Sequence, residues 1–321
     1  MKKTLCLLLM LALAMGVFAL GAVAEETLTI GFTCNNATND ANQAVHYQAM
    51  KDYAEEVGIE LIALDPAGDA NVQFSHIENF IQMGVDGILF RAVDSTTIIP
   101  ALKEAHDAGI PIVCTTNIID ESGYDYFDAF VGPSDFYQAA TACDIVLSNP
   151  KFAEQETINV LQCAHVLGST VHELRNEGFW AEAEGSNLNL LEMQTANGTR
   201  EEAQQLMENW LLKYDIEDID VVFVEGDGMV LGIVAAMESY GLTAEDICVV
   251  GICVSGTTFD YIQDGLVYGS VIQSPYDDAQ TSIDTLLKII NGEEVEFMTY
   301  QPNPPVTKEL IDSGEVTRPD W

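Results

Sequence analysis

The sequence predicts an α/β protein made of two similar doubly wound parallel-sheet lobes joined by a three-strand hinge. Three observations lead there. Short apolar, β-rich runs alternate with longer amphipathic segments along the chain, which is the pattern of βαβ units. The runs are apolar almost without a break, as in VVF and CVVGI, which suits strands covered on both faces. The chain of 321 residues exceeds what one core usually serves. About four βα units fall on either side of Gly132, so two lobes are more economical than one very large sheet.

The chain opens with Lys2 and Lys3, an apolar run over 5–20, and the small-x-small triplet Ala22-Val23-Ala24 before Glu25. That is the layout of a secretory signal peptide over 1–24. A retained membrane anchor is the competing reading, since the run approaches the roughly 20 residues that span a bilayer. The Ala-x-Ala site at the charge boundary favours cleavage. After residue 26 no segment is long and apolar enough to span a membrane.

Strands are expected over 28–33, 60–64, 87–90, 112–115, 129–132, 158–161, 188–193, 221–225, 248–252 and 268–273. Helix patterns run over 42–57, 74–83, 98–108 and 199–214. Gly58, Gly84 and Gly109 follow helices, where a left-handed turn suits glycine. Ser95 and Thr96 are placed to cap the helix that contains Pro100. Pro133, Pro275 and the 301–305 stretch QPNPP are candidate crossings between lobes. The first lobe is therefore 25–132 plus 275–300 and the second 133–274, with 301–321 a hinge crossing and C-terminal tail.

Composition excludes several functions. The chain carries 51 acidic and 12 basic residues, a formal charge of −39. Nucleic acid and anionic lipid both need basic residues to bind. Cys114, Cys163 and Cys248 sit in separate apolar runs, and no CxxC pair occurs, so all six cysteines after the leader are expected as free thiols, with no metal site. The five histidines are scattered, though His165 follows a strand and can reach a cleft. No Gly-x-Ser-x-Gly elbow or Walker loop is present, and Gly226-x-Gly228 is too short for a dinucleotide fingerprint. Neither an enzyme nor a cofactor is expected.

Several stretches carry a family likeness: TLTIGFT after the leader, FIQMGVDGILFRAVDSTTIIPALKEAHDAGIPIVCTTN, the Arg-x-x-Gly-Phe segment at 175–179, VVFVEGDGMVLGIVAAM, ICVVGI and SVIQSP. In these the chain resembles the periplasmic ribose-binding proteins, the type I sugar-binding subunits of ABC importers. The resemblance implies a ligand cleft between the lobes. It implies pocket roles for Arg175 and Gln273, a polar contact near Asp40, and for Asp227 either ligand contact or a helix cap. The candidate ligand-binding residues are Thr33, Asp40, Gln43, Arg91 and Asn117 from the first lobe. Arg175, Asn197, Asp227 and Cys253 come from the second, with Gln273 at the hinge. Arg175→Ala is expected to abolish binding and leave the fold intact.

The sequence also departs from that family. The aromatic platforms that stack on a pyranose are replaced by Asn42, Gln43 and Asn197-Gly198-Thr199, and Arg91 stands where a neutral amide is usual. Two cleft arginines favour an acidic or highly polar sugar derivative. A neutral sugar or polyol follows instead if a protein carboxylate neutralises Arg91. The resemblance implies a monomer outside the cytoplasm, periplasmic or extracytoplasmic, that delivers a small solute to an ABC permease and its ATPase. A receptor that reports to a sensor kinase or chemoreceptor is the alternative. A DNA-binding repressor on the same fold is excluded by the leader and the negative charge.

Overall fold

The structure, a computed structural model, describes residues 27–38 and 41–321. The leader segment and Asp40 lie outside the described residues. The first lobe holds strands β1 (Thr29–Thr33), β2 (Glu60–Leu64), β3 (Gly87–Phe90), β4 (Ile112–Thr115) and β5 (Ala129–Gly132). Its helices are α1 (Ala41–Val57), α2 (Ala70–Met83) and α3 (Ile99–Asp107). The second lobe holds α4 (Asp135–Leu147), β6 (Ile158–Ala164), α5 (Thr170–Glu182), β7 (Leu188–Thr195), α6 (Arg200–Lys213), β8 (Val221–Val224), α7 (Asp227–Ser239), β9 (Cys248–Gly251), α8 (Gly256–Gln263) and β10 (Gly269–Val271). The chain then returns to the first lobe as α9 (Pro275–Ile290) and β11 (Met298–Tyr300). It ends on the second as β12 (Pro305–Thr307) and α10 (Lys308–Ser313).

Each lobe is a six-stranded sheet, ordered β11-β5-β4-β3-β1-β2 and β12-β10-β9-β8-β6-β7. Strand pairs are parallel except β12, which runs antiparallel to β10. Strands β3, β8 and β9 are buried along their whole length, which explains their unbroken apolar runs. Gly31 of β1 has a steric reason: a Cβ there would come within 2.5 Å of the Phe80 ring, so only glycine lets α2 pack so close.

Side-chain caps start most helices. Ser134, Ser169, Thr199, Ser255 and Ser274 each accept a backbone N–H of the first turn of the helix that follows. The cap expected at Ser95-Thr96 is a correction. Helix α3 starts at Ile99 with no side-chain cap, and Asp94 closes the preceding turn by accepting from the N–H of Thr96 (3.0 Å) and Thr97 (2.7 Å). The Thr97 hydroxyl (2.7 Å) and then these N–H groups hold the Asp94 carboxyl down at about 2.

Three segments join the lobes, at 133–134, 272–274 and 301–304. They are tied together: Gln301 N–H donates to Gly132 O (2.9 Å) and Ile272 N–H to Pro304 O (3.1 Å). The short β11 and β12, one in each sheet, are what the sequence reading lacked.

Candidate functional site

Both sheets share one topology, with the strand order reversing between β1 and β3 in the first and between β6 and β8 in the second. In open α/β sheets, ligands bind outside the carboxyl ends of strands at such reversals. A cleft of about 630 Å³ lies there, between the lobes. It is lined by Asn35 after β1, Arg91 after β3, His165 after β6 and Gly226-Asp227 after β8. A larger concavity, about 1020 Å³, lies on the second lobe and includes Tyr268 and Lys308. Tyr268 precedes β10, so that concavity is at the amino ends of the strands, and we assign the site to the inter-lobe cleft.

Arg175 is the most tightly held side chain of the cleft. It is buried, with its Nε and a terminal nitrogen each 2.8 Å from Asp135 Oδ1. It also donates to the Glu225 carbonyl and to Gln138 Oε1 (3.3 Å). Gly178, one turn on, makes this possible: a Cβ there would collide with the backbone carbonyl of Phe136. The absence of that Cβ lets α4 and α5 meet closely enough for Arg175 to reach Asp135. Burial pushes the Asp135 carboxyl up, and Arg175 pulls it partly back. Burial works against the guanidinium's charge, but Asp135, Cys253 and Glu225 together outweigh it.

Beneath this pair lies Glu225, fully buried just after β8. Its carboxylate accepts from Gln162 Nε2 (2.7 Å) and the His165 N–H (2.8 Å), and lies 2.9 Å from His172 Nδ1. One residue thus fixes both the His165 loop and, through its carbonyl, Arg175.

In the first lobe Arg91 Nε donates to Asn117 Oδ1 at 3.3 Å, and both line the cleft. Gln43 lines it too and accepts the Asn36 N–H (2.8 Å). Asp227 is the first residue of α7; its Oδ1 accepts the Ser255 N–H at 2.9 Å, which braces a loop instead of capping its own helix. At the hinge, Gln273 Nε2 donates to Asp278 Oδ2 (2.7 Å) and its Oε1 accepts from Gln138 (3.4 Å). Burial raises the Asp278 carboxyl to about 7. Cys253 is also in the lining; burial raises its thiol to about 11, far from a reactive thiolate. All six described cysteines are free.

Seven of the ten candidates therefore meet in one cleft: Gln43, Arg91, Asn117, Arg175, Asp227, Cys253 and Gln273. Thr33 does not. It is fully buried, with its hydroxyl 3.0 Å from His76 Nδ1, and Asn35, two residues on, reaches the cleft instead. Asn197 does not either: its backbone is left-handed (φ 49) and its amide turns outward to Glu202 at 2.6 Å, leaving Gly198 in the lining. Sequence reasoning missed Asn35, Asp135, Glu225 and Trp321. Asp135 carried a signal, since it follows Pro133 at the end of β5, where strand-end residues face the cleft.

The periplasmic binding protein domain family matches this sequence over residues 30–294, most of the chain. The chain belongs to the periplasmic binding protein family. Its members are solute-binding proteins of the extracytoplasmic space and not enzymes. Among relatives of this periplasmic binding protein, the ribose import binding protein of Bacillus subtilis is 25% identical over 279 residues, 87% of either chain. A Bacillus halodurans ABC transporter solute-binding protein with bound myo-inositol has a TM-score of 0.80 and 29% identity, covering 90% of this chain and 97% of that one. A Mycobacterium smegmatis protein in complex with β-D-fucofuranose has a TM-score of 0.81 and 28% identity, covering 90% and 94%.

Proposed function

We propose that this protein captures a small neutral sugar or polyol by closing its lobes on it, and hands it, as a monomer, to an ABC permease driven by its ATPase. The observation that carries the ligand class is the charge of the cleft lining. Among the described residues that line it, the side chains of Arg91 and Arg175 are matched by those of Asp135 and Asp227, so their formal charges sum to zero. The expectation of an acidic ligand rested on two guanidiniums weighed without Asp135. With Arg175 paired to Asp135, an anion would have to displace a buried carboxylate or add to it. Neutral hydroxyls meet a better match: amides at Asn35, Gln43, Asn117 and Gln273, which donate and accept, beside charged groups. The bound ligands of the two solved neighbours, myo-inositol and β-D-fucofuranose, are of this class.

The mechanism is a population shift. A ligand that touches Arg91 and Asn117 on one lobe and Arg175 and Asp227 on the other favours the closed form by its differential affinity for it. The crossings at 133–134, 272–274 and 301–304 carry the motion. Export follows from the leader, with cleavage after Ala24 leaving Glu25 first in the mature chain.

The test is a thermal-shift screen with matched neutral and acidic partners, such as galactose with galacturonate, together with ribose, xylitol and myo-inositol. A ligand at about 100 times its dissociation constant stabilises by roughly 2.7 kcal/mol. Neutral members are expected to raise Tm more than acidic ones. The reverse order across several pairs would overturn the ligand class.

A further inference from the structure

The tail beyond α10 folds back onto the cleft. Arg318 grips Asp260 of α8 with two bonds of 2.8 Å, from Nε to Oδ1 and from Nη2 to Oδ2. Its guanidinium covers Gly256, where a Cβ would come within 2.7 Å of it. A backbone oxygen of Trp321 then accepts the Gly256 N–H at 2.7 Å. That N–H opens α8 and has no acceptor within the helix, so the tail satisfies a group the fold leaves over. These contacts place Trp321 in the wall of the cleft. Its other neighbour is Tyr276, met edge-on with ring centroids 5.6 Å apart. Tyr276 lies on α9, whose Leu286 packs against Gly87 of the first sheet. The indole is thus held by the second lobe and touches a helix of the first.

Among the described residues that line the cleft, Trp321 is the one Phe, Tyr or Trp. The loops that would offer stacking surfaces carry Gln43 and Gly198 instead. A sugar or polyol has C–H faces as well as hydroxyls, and an aromatic ring suits those faces because it is large, apolar and stiff. We propose that Trp321 is the ligand-contacting aromatic wall of this site, and that its contact with Tyr276 makes the tail a strap between the lobes. The proposal rests on the reading of the cleft as a sugar or polyol site.

The test uses the full exported chain and calorimetric titration with ribose, xylitol and myo-inositol. Trp321→Ala is expected to weaken the best of these probes roughly tenfold or more, the scale on which truncating a contact tryptophan acts. Trp321→Phe should keep most of the affinity. Fluorescence gives a second readout. The other two tryptophans are Trp210, buried in the core, and Trp180, whose indole N–H is bound to Gln162 at 2.8 Å. A ligand-induced emission change should therefore vanish in Trp321→Phe, a variant that keeps an aromatic ring against Tyr276. Wild-type affinity in Trp321→Ala, or an emission change that survives Trp321→Phe, overturns the proposal and leaves the sugar or polyol reading standing. A wild-type protein that takes none of the probes overturns both together.

Discussion

Replacing Arg175 by methionine separates its two roles, holding the second lobe together and meeting the ligand. The side chain is 9% exposed and makes bonds to Asp135, Gln138 and the Glu225 carbonyl. Its loss strands the carboxylate of Asp135, whose side chain is 7% exposed, and one buried carbonyl. Removing one partner of a buried ion pair typically costs about 3–5 kcal/mol. That is a large share of a total stability of about 5–15 kcal/mol, so the intact fold expected from the sequence for an Arg175 variant becomes a weakened one. Urea denaturation of ligand-free protein reads it directly. Asp135→Leu alone should also destabilise, by leaving the arginine charge buried. The double variant Arg175→Met, Asp135→Leu should lose clearly less than the sum of the two. Simple additivity would refute the reasoning, because it would mean the pair does not act as a unit. Calorimetry on the double variant then isolates the ligand role: binding should stay lost, since the pair's repair does not restore the donors.

Asp278→Asn should flatten the pH dependence of stability. The Asp278 carboxyl is raised from 3.8 to about 7 by burial, so the native state holds a proton that the unfolded chain releases. Stability from this group is fully present below its ordinary value and is lost as pH rises through about 7, by ~4 kcal/mol in all. Urea midpoints at about pH 5 and about pH 8 should differ more in the wild type than in the variant, and equal slopes would refute the assignment. Gly178→Ala should destabilise by at least about 1–3 kcal/mol, because its Cβ meets the Phe136 carbonyl; an unchanged Tm would refute that contact. Alkylation of the mature chain under denaturing, non-reducing conditions should label Cys34, Cys114, Cys143, Cys163, Cys248 and Cys253; mass spectrometry showing fewer labels would mean disulfides.

The elements legible in the sequence were those whose signal is local. Fully buried strands such as 87–90 and 221–224 are apolar runs bounded by turns, and the residues just past them face the cleft because of where strands end. Arg91, Asn117, Asp227 and Gln273 all stand just past such strands, and for Asp227 and Gln273 the family resemblance pointed to the same positions. Strands β11 and β12, of three residues each, are too short for a periodic signal, so the strands went unread although the crossing between them was marked by the prolines of 301–305. Thr33 is still inside β1, where it packs on His76, and the chain reaches the cleft only past the strand end, at Asn35. Asp135 had only its place after β5 as a signal; its partner lies 40 residues on, and only the packing of α4 on α5 joins them. Trp321 depends on a docked tail that no pattern announces.

The two lobes also share a feature that bears on closure. Thr116 follows the fourth strand of the first sheet and Cys253 that of the second, and both have φ of 66° and line the cleft. A left-handed backbone costs a non-glycine residue about 1–2 kcal/mol, most of all a β-branched threonine. Such a conformation persists only where its surroundings over-determine it. For Thr116 they do. Its N–H donates to Val131 O at 2.8 Å, and Gly132 leaves room where a Cβ would come within 2.7 Å of the Thr116 Cα. Gly132 is the last residue before the first crossing, so a cleft residue and a hinge strand are packed as one body. For Cys253 the link is Gln273, whose Oε1 lies 3.6 Å from the thiol while its Nε2 holds Asp278 at the start of α9. In each lobe the strained residue facing the ligand thus leans on a segment that changes lobes. Ligand contacts at these two positions would act directly on the hinge, which is what a binding protein needs if occupancy is to be read from its shape.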